Sequence, residues 1–194
     1  MPGRKPGQRR VEILHTLAGM LETPRWEKIT TAGLAARLDV SEAALYRHFA
    51  SKAQMYEGLI EFIEETLFGL INRIGTEETS GLNQIEKSIT MLLGFAQKNP
   101  GMTRVLIGEA LVHENDRLQT RINQLLDRVE ASLKQSLRFA SQQGEIPEGA
   151  DQAAYANLLL SMVLGRWHQF AKSGFKRDPM LLWPEHWKAV VSSF

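Results

Sequence analysis

Residues 29–52 read ITTAGLAARLDVSEAALYRHFASK. Thr30 precedes a run whose leucines and alanines fall at helical spacing, and threonine is a residue type that caps helix N-termini. This predicts a helix ending near Leu38. Asp39-Val40 forms a turn, and Ser41 is a second N-cap that opens a helix through about Phe49. On that helix Leu45 and Phe49 lie four apart and share an inward face. Ala43 and Arg47, flanked by Ala44 and Tyr46, point the other way. Small residues at a helix start let its backbone approach a groove floor, and Tyr46, Arg47 and His48 then reach phosphates or base edges. Ser41 and the free N–H groups beside it suit a phosphate, and Thr30 and Thr31 offer the same at the preceding helix. Glu42 repels phosphate. Either it answers the positive end of its helix or it accepts a hydrogen bond from cytosine N4. Helix, short turn and second helix is the helix-turn-helix arrangement, whose second helix enters the DNA major groove.

Outward from this stretch, nearly every segment carries apolar residues at helical period, and no strand pattern is present. A first helix spans about 8–22, with Val11, Leu14, Leu17, Ala18 and Leu21 on one face, and Pro24 stops it. Ser51 or Lys52 opens a fourth helix that runs to Ile74 and closes at Gly75. A fifth carries Leu82, Ile85, Ile89, Leu92, Leu93 and Ala96 and breaks at Asn99-Pro100-Gly101. Helices at about 102–111 and 116–142 follow. The loop QQGEIPEGA precedes a helix at about 151–172, FKRDP ends it, and a last helix closes the chain. The fold class is all-α, with a three-helix head over residues 1–52 and a helical body over 53–194.

The chain has 194 residues, enough to bury a real core, and no cysteine. Disulfides, thiolate metal sites and cysteine nucleophiles are therefore excluded. No apolar run reaches membrane-spanning length, and the basic start MPGRKPGQRR has no hydrophobic segment behind it. The expected location is cytoplasmic. Net charge is +1, but residues 1–52 hold nine basic side chains against five acidic ones. A basic head on an acidic body suits a polyanion partner. Arg4, Lys5, Arg9 and Arg10 either track phosphate or form a solubilising tail.

The pattern T-x-x-x-L-A-x-x-x-x-V-S-x-x-x-L-Y-R-H-F-x-S-K closely resembles the headpiece of the TetR family of repressors. That resemblance implies an all-helical homodimer that binds palindromic double-stranded DNA. It implies DNA contacts from Thr30, Thr31, Ser41, Glu42, Ala43, Tyr46, Arg47, His48 and Lys52.

The body carries a second signal. Besides its core stripe (Tyr56, Leu59, Ile60, Ile63, Leu67, Ile71, Ile74), the fourth helix sets Phe62, Thr66, Gly69 and Arg73 on another face. The fifth helix repeats the arrangement with Lys87, Met91, Gly94 and Lys98. Each of these faces has one large apolar residue, a mid-helix glycine and basic residues. Mid-helix glycine costs about 1 kcal/mol against alanine, so close approach is one reason to keep it. The faces either line an apolar groove with a basic rim for a short acidic and apolar peptide, or pack on the head or another helix. The segments VSEAALYRHFASKAQMYEGLIEFIEETL, LLGFAQKNPGMTRVLIGEAL and ENDRLQTRINQLLDRVEASLKQSLR resemble the nucleoid-occlusion branch of the TetR family. This likeness implies binding to FtsZ, the tubulin-like division GTPase, and association with the nucleoid. Phe62, Met91, Gly94, Lys98 and Asn99 are the matching positions. Leu70 departs from the pattern, which has a basic residue there.

Leu158, Leu159, Met162, Val163, Trp167 and Phe170, with Trp183, Trp187, Val190 and Val191, supply apolar area shared between the body's own core and a symmetric dimer interface. Most TetR regulators use the body as a small-molecule pocket, so a ligand-responsive repressor is the alternative function. Enzyme motifs are absent: there is no G-x-G-x-x-G, G-x-x-x-x-G-K, G-x-S-x-G or H-E-x-x-H. Glu109 and His113 lie four apart, which reads as a solvated pair and not a metal site. No cofactor is expected.

Overall fold

The computed structural model describes residues 7–23 and 28–194. They form nine α-helices and no strand: α1 Gln8–Met20, α2 Thr31–Arg37, α3 Glu42–Tyr46, α4 Lys52–Glu77, α5 Gly81–Lys98, α6 Pro100–Leu106, α7 Asp116–Gln142, α8 Gln152–Lys172 and α9 Trp183–Val191. A single 3₁₀ turn, Glu109–Leu111, follows α6. The chain makes two compact units. One comprises Met1–Ile63 with Asn99–Ile122, the other Glu64–Lys98 with Asn123–Phe194. Pro24, and with it the expected stop of the first helix, lies outside the described residues.

In the first unit, α1 buries Ile13, Leu14, Leu17 and Ala18, and Leu34, Leu45, Phe49, Met55, Tyr56, Leu59 and Ile60 complete the core. Both α2 and α6 pack on α1. Gly101 makes this last approach possible: a Cβ there would stand 1.9 Å from the Ala18 carbonyl oxygen. Beside it Arg104, only 2% exposed, donates from Nη1 to the carbonyls of Leu21 at 2.7 Å and Thr23 at 2.6 Å. These carbonyls lie just past the end of α1, where helix geometry leaves acceptors without intrahelical donors. Burial lowers the Arg104 pKa, and Glu109, 3.7 Å from Nε, opposes the shift.

In the second unit, Ile85, Ile89, Leu92, Leu93 and Ala96 of α5 are fully buried, matching the stripe read from their spacing. They meet Leu159, Val163, Trp167 and Phe170 of α8, all buried. The Trp167 indole donates to the Leu92 carbonyl at 3.1 Å, and that of Trp183 donates to the Thr90 hydroxyl at 2.7 Å. Buried indole N–H groups need such acceptors. The first N–H groups of α5 are met from beyond α7: Gly81 donates to Gln143 Oε1 at 3.2 Å and Leu82 to Glu145 Oε2 at 3.0 Å. Gly81 is the second close approach, since its Cβ would lie 2.3 Å from the Ala140 nitrogen. Asp151 caps α8 by accepting from Ala153 and Ala154 at 3.0 Å.

Four helices have boundaries that differ from those the spacing predicts. α1 stops at Met20, two residues early. α3 stops at Tyr46, and His48 and Phe49 both donate to the Leu45 carbonyl. The chain turns there because Phe49 must enter the core, where its ring would be 2.9 Å from a Cβ at Gly58. α4 runs through Gly75 to Glu77. Buried Gln84 ends it, donating to the Gly75 and Glu78 carbonyls at 3.2 and 3.0 Å. The helix expected at 102–111 begins at Pro100, which occupies the first turn where its missing N–H costs nothing. It ends at Leu106, before Gly108 takes φ 77° and the 3₁₀ turn begins.

Candidate nucleic-acid interface

The two short helices of the helix-turn-helix are built by their caps. The Thr30 hydroxyl accepts from Gly33 N–H at 3.0 Å and the Ser41 hydroxyl from Ala44 N–H at 3.2 Å. Asp39 takes the turn at φ 53°, a left-handed conformation that Asp tolerates better than most residues. Thr31 donates its hydroxyl to Glu42 Oε2 at 2.5 Å. This bond joins the starts of α2 and α3 and gives Glu42 a local partner. Of the nine residues expected on DNA, Ala43, Tyr46 and Arg47 point outward, and Tyr46 is 44% exposed. Arg47 and His48 lie in the turn after α3, not on the helix itself. Ser41 and Thr30 face out with their hydroxyls committed to caps. Lys52 is half-buried and ion-paired with Glu114, so a contact from it to DNA has to displace that partner. The face left open is small at its start and carries one phenol and one guanidinium. Such groups can contact phosphate and base edges.

The basic tail divides. Arg4 and Lys5 lie outside the described residues. Arg9 pairs with Glu12 at 2.7 Å. Arg10 donates to the His48 carbonyl at 2.9 Å, and its guanidinium stands 4.2 Å from the centre of the Phe49 ring. It thus closes the C-terminal end of the recognition helix, a role that sequence reasoning did not assign.

Of the residues expected to face a partner, Phe62 and Asn99 belong to the first unit and are half-buried. The Phe62 ring meets His15 edge-on at 5.3 Å. In the second unit Gly69, Arg73, Lys87 and Lys98 are exposed and Thr66, Met91 and Gly94 half-buried. Arg73 lies 3.8 Å from Glu77, and Lys87 pairs with Glu78. A Cβ at Gly69 or Gly94 would meet nothing within 4 Å. Of the two alternatives offered for these faces, packing inside the chain therefore does not account for the two glycines.

The second unit also carries an open cleft of about 900 Å³ lined by α4, α5 and α7, with Asn72, Gln84, Ser88, Gln135 and Arg138 among its polar walls. On α8 and α9 the apolar residues expected to share core and interface divide. Leu159, Val163, Trp167, Phe170, Trp183 and Trp187 are buried in the chain, whereas Leu158 at 55% and Val191 at 36% are exposed. Leu158, Met162 and Val190 rim a shallow apolar hollow. Arg166 steadies the loop between α8 and α9, donating to the Pro179 and Leu181 carbonyls at 2.8 and 2.7 Å. Glu109 and His113 do not share a regular helix, because the 3₁₀ turn ends at Leu111.

An all-helical fold that presents a capped two-helix turn, with tyrosine and arginine outward, is that of a helix-turn-helix regulator. Residues 26–59 match the family described as bacterial regulatory proteins, tetR family, and residues 79–193 match the tetracyclin repressor-like C-terminal domain of SlmA-like proteins. The chain is 50% identical to the nucleoid occlusion factor SlmA of Alteromonas mediterranea, each chain being covered completely. It is also 50% identical to that of Vibrio cholerae, covering 100% of this chain and 98% of the other. Among solved structures, the fatty acid degradation regulator FadR from Bacillus halodurans superposes with a TM-score of 0.81 at 15% identity, covering 98% of both chains. FadR from Bacillus subtilis, in complex with stearoyl-CoA, gives 0.78 at 18%, covering 95% of this chain and 98% of that one. The chain belongs to the tetR family of bacterial regulatory proteins, in the branch of the SlmA relatives.

Proposed function

We propose that this chain is a sequence-specific DNA-binding homodimer that acts as a nucleoid occlusion factor, restraining assembly of the FtsZ division ring over the chromosome. The observation that carries this reading is the 50% identity, over the whole of both chains, to a nucleoid occlusion factor. The protein works by binding DNA and FtsZ at the nucleoid and catalyses no reaction. Residues 1–52 read DNA and 53–194 dimerise and bind the partner. Tyr46 and Arg47 make the specific contacts, Ala43 admits the backbone, and Thr30, Thr31, Ser41, Glu42 and His48 hold or flank the reading face. FtsZ meets Phe62, Thr66, Gly69, Arg73, Lys87, Met91, Gly94, Lys98 and Asn99, and Leu70 is where contact with it departs from the branch. Two-fold pairing covers Leu158, Met162, Val190 and Val191. Such a dimer sets its recognition helices on successive major grooves of a palindrome, about 34 Å apart or a multiple of that.

The test measures duplex binding and FtsZ capture side by side on full-length variants. Arg47→Ala is expected to weaken binding to a palindromic site by about 1–3 kcal/mol while FtsZ capture persists. Phe62→Ala is expected to lose FtsZ and keep DNA, as an aromatic anchor should. Wild-type protein that binds DNA but ignores FtsZ would overturn the occlusion reading and leave a DNA-binding regulator.

A further inference from the structure

Lys52 is the first residue of α4, the next helix in the chain after α3. Its ammonium is bound to the carboxylate of Glu114, 62 residues further along the chain. The pair is sheltered: the Lys52 side chain is 21% exposed and that of Glu114 is 12%. The ammonium also stands 5.6 Å from the centre of the Tyr56 ring. A second pair, Arg117 with Glu57 at 2.7 Å, ties the same two stretches together. The Tyr56 hydroxyl is buried and finds no hydrogen-bond partner among the described residues. Burial first, and Glu114 second, raise its pKa. Glu114 therefore sits where one acidic group meets one cation and one buried phenol.

A lysine neutralised inside its own chain contributes little to phosphate binding. The favourable entropy of a phosphate contact comes from counterions released as a positive charge replaces them on DNA. For Lys52 that exchange requires breaking a sheltered ion pair, and leaving a shielded carboxylate without its cation is costly. We propose that Glu114 competes with DNA phosphate for Lys52 and so limits how tightly the chain holds DNA of any sequence. Glu114 is a positioning residue, acting through Lys52 without touching DNA itself. Base readout belongs to Tyr46 and Arg47 and is untouched, so the competition lowers non-specific and specific affinity by the same factor. The residue that limits the grip lies in the segment between α6 and α7, outside the helix-turn-helix. This inference rests on the DNA-binding reading above.

The experiment compares full-length wild type and Glu114→Gln on a duplex without a palindrome, across a salt series, with thermal unfolding followed in parallel. Freeing one lysine for phosphate should steepen the slope of log affinity against log salt by about 0.9. The gain of the variant over wild type should then shrink about 3.5-fold between 50 and 200 mM salt. Lys52→Gln should change the wild-type slope by less than half that amount, yet abolish the whole gain in the Glu114→Gln background. If Glu114→Gln does not fold, Glu114→Asp takes its place, since its carboxylate is one methylene short of Lys52 and the same direction is expected. Parallel salt slopes for a folded variant and wild type would overturn the inference alone. Wild type that binds no duplex at any salt would overturn the DNA-binding reading, and the inference with it.

Discussion

The helix-turn-helix and the α5–α8 core are both made of helices, yet different forces hold them. α2 has seven residues and α3 five, too short to persist alone. Their shape comes from local polar bonds: two hydroxyl caps, the Thr31–Glu42 bond and a left-handed Asp39. α5 and α8 run 18 and 21 residues and are joined by buried aliphatic and indole side chains. Polar bonds fix direction and leave the outer face free for other chemistry. Apolar burial supplies most of the stability and consumes the face that makes it. A reading surface therefore belongs on the first kind of scaffold.

Four substitutions sharpen or break that contrast. Trp167→Ala removes a fully buried indole and should cost about 3–5 kcal/mol. Gly101→Ala, whose Cβ would meet a backbone oxygen at 1.9 Å, should cost about 3 kcal/mol or more, since that backbone cannot yield cheaply. Urea unfolding measures both, and a loss under 1 kcal/mol in either would mean the packing yields more readily than described. Ser41→Ala should cost about 1 kcal/mol of stability, and DNA affinity should fall with it, because the cap orients α3. Unchanged DNA binding in a measurably destabilised Ser41→Ala protein would separate the cap from the reading face. The smallest effect has the opposite sign: Gly94→Ala, with open space at its Cβ, should stabilise the chain by about 0.5–1 kcal/mol. A drop in Tm for that variant would show that the face is already occupied, and weaker FtsZ capture with a raised Tm would mark it as a docking surface.

The same division explains what the sequence made legible. Caps at Thr30 and Ser41, the inward pair Leu45 and Phe49, and the α5 stripe are set by neighbours a few residues away. Their spacing alone places them. Arg10 on the His48 carbonyl spans 38 residues, Lys52 with Glu114 spans 62, and Arg104 on the Leu21 carbonyl spans 83. A side chain that seeks a backbone oxygen or a carboxylate far along the chain leaves no pattern, so these partners became visible only in the folded chain. The apolar residues of α8 and α9 were legible as apolar but not by destination. Burial within a chain and burial between chains select the same residue types, so Leu158 and Leu159 look alike in sequence and differ in space.

Arg104 carries a consequence for modularity. The DNA-reading helices are often treated as a cassette that can be cut out and transplanted. Here the carbonyls of Leu21 and Thr23 receive their donors from a residue 81–83 positions downstream, and α1 rests against Gly101. A fragment ended after Ile63 would leave those acceptors to water and strip one side of α1. The cassette that nature maintains is discontinuous, made of a beginning and a middle of the chain. Any insertion, fusion or swap that spares its function must carry both pieces together.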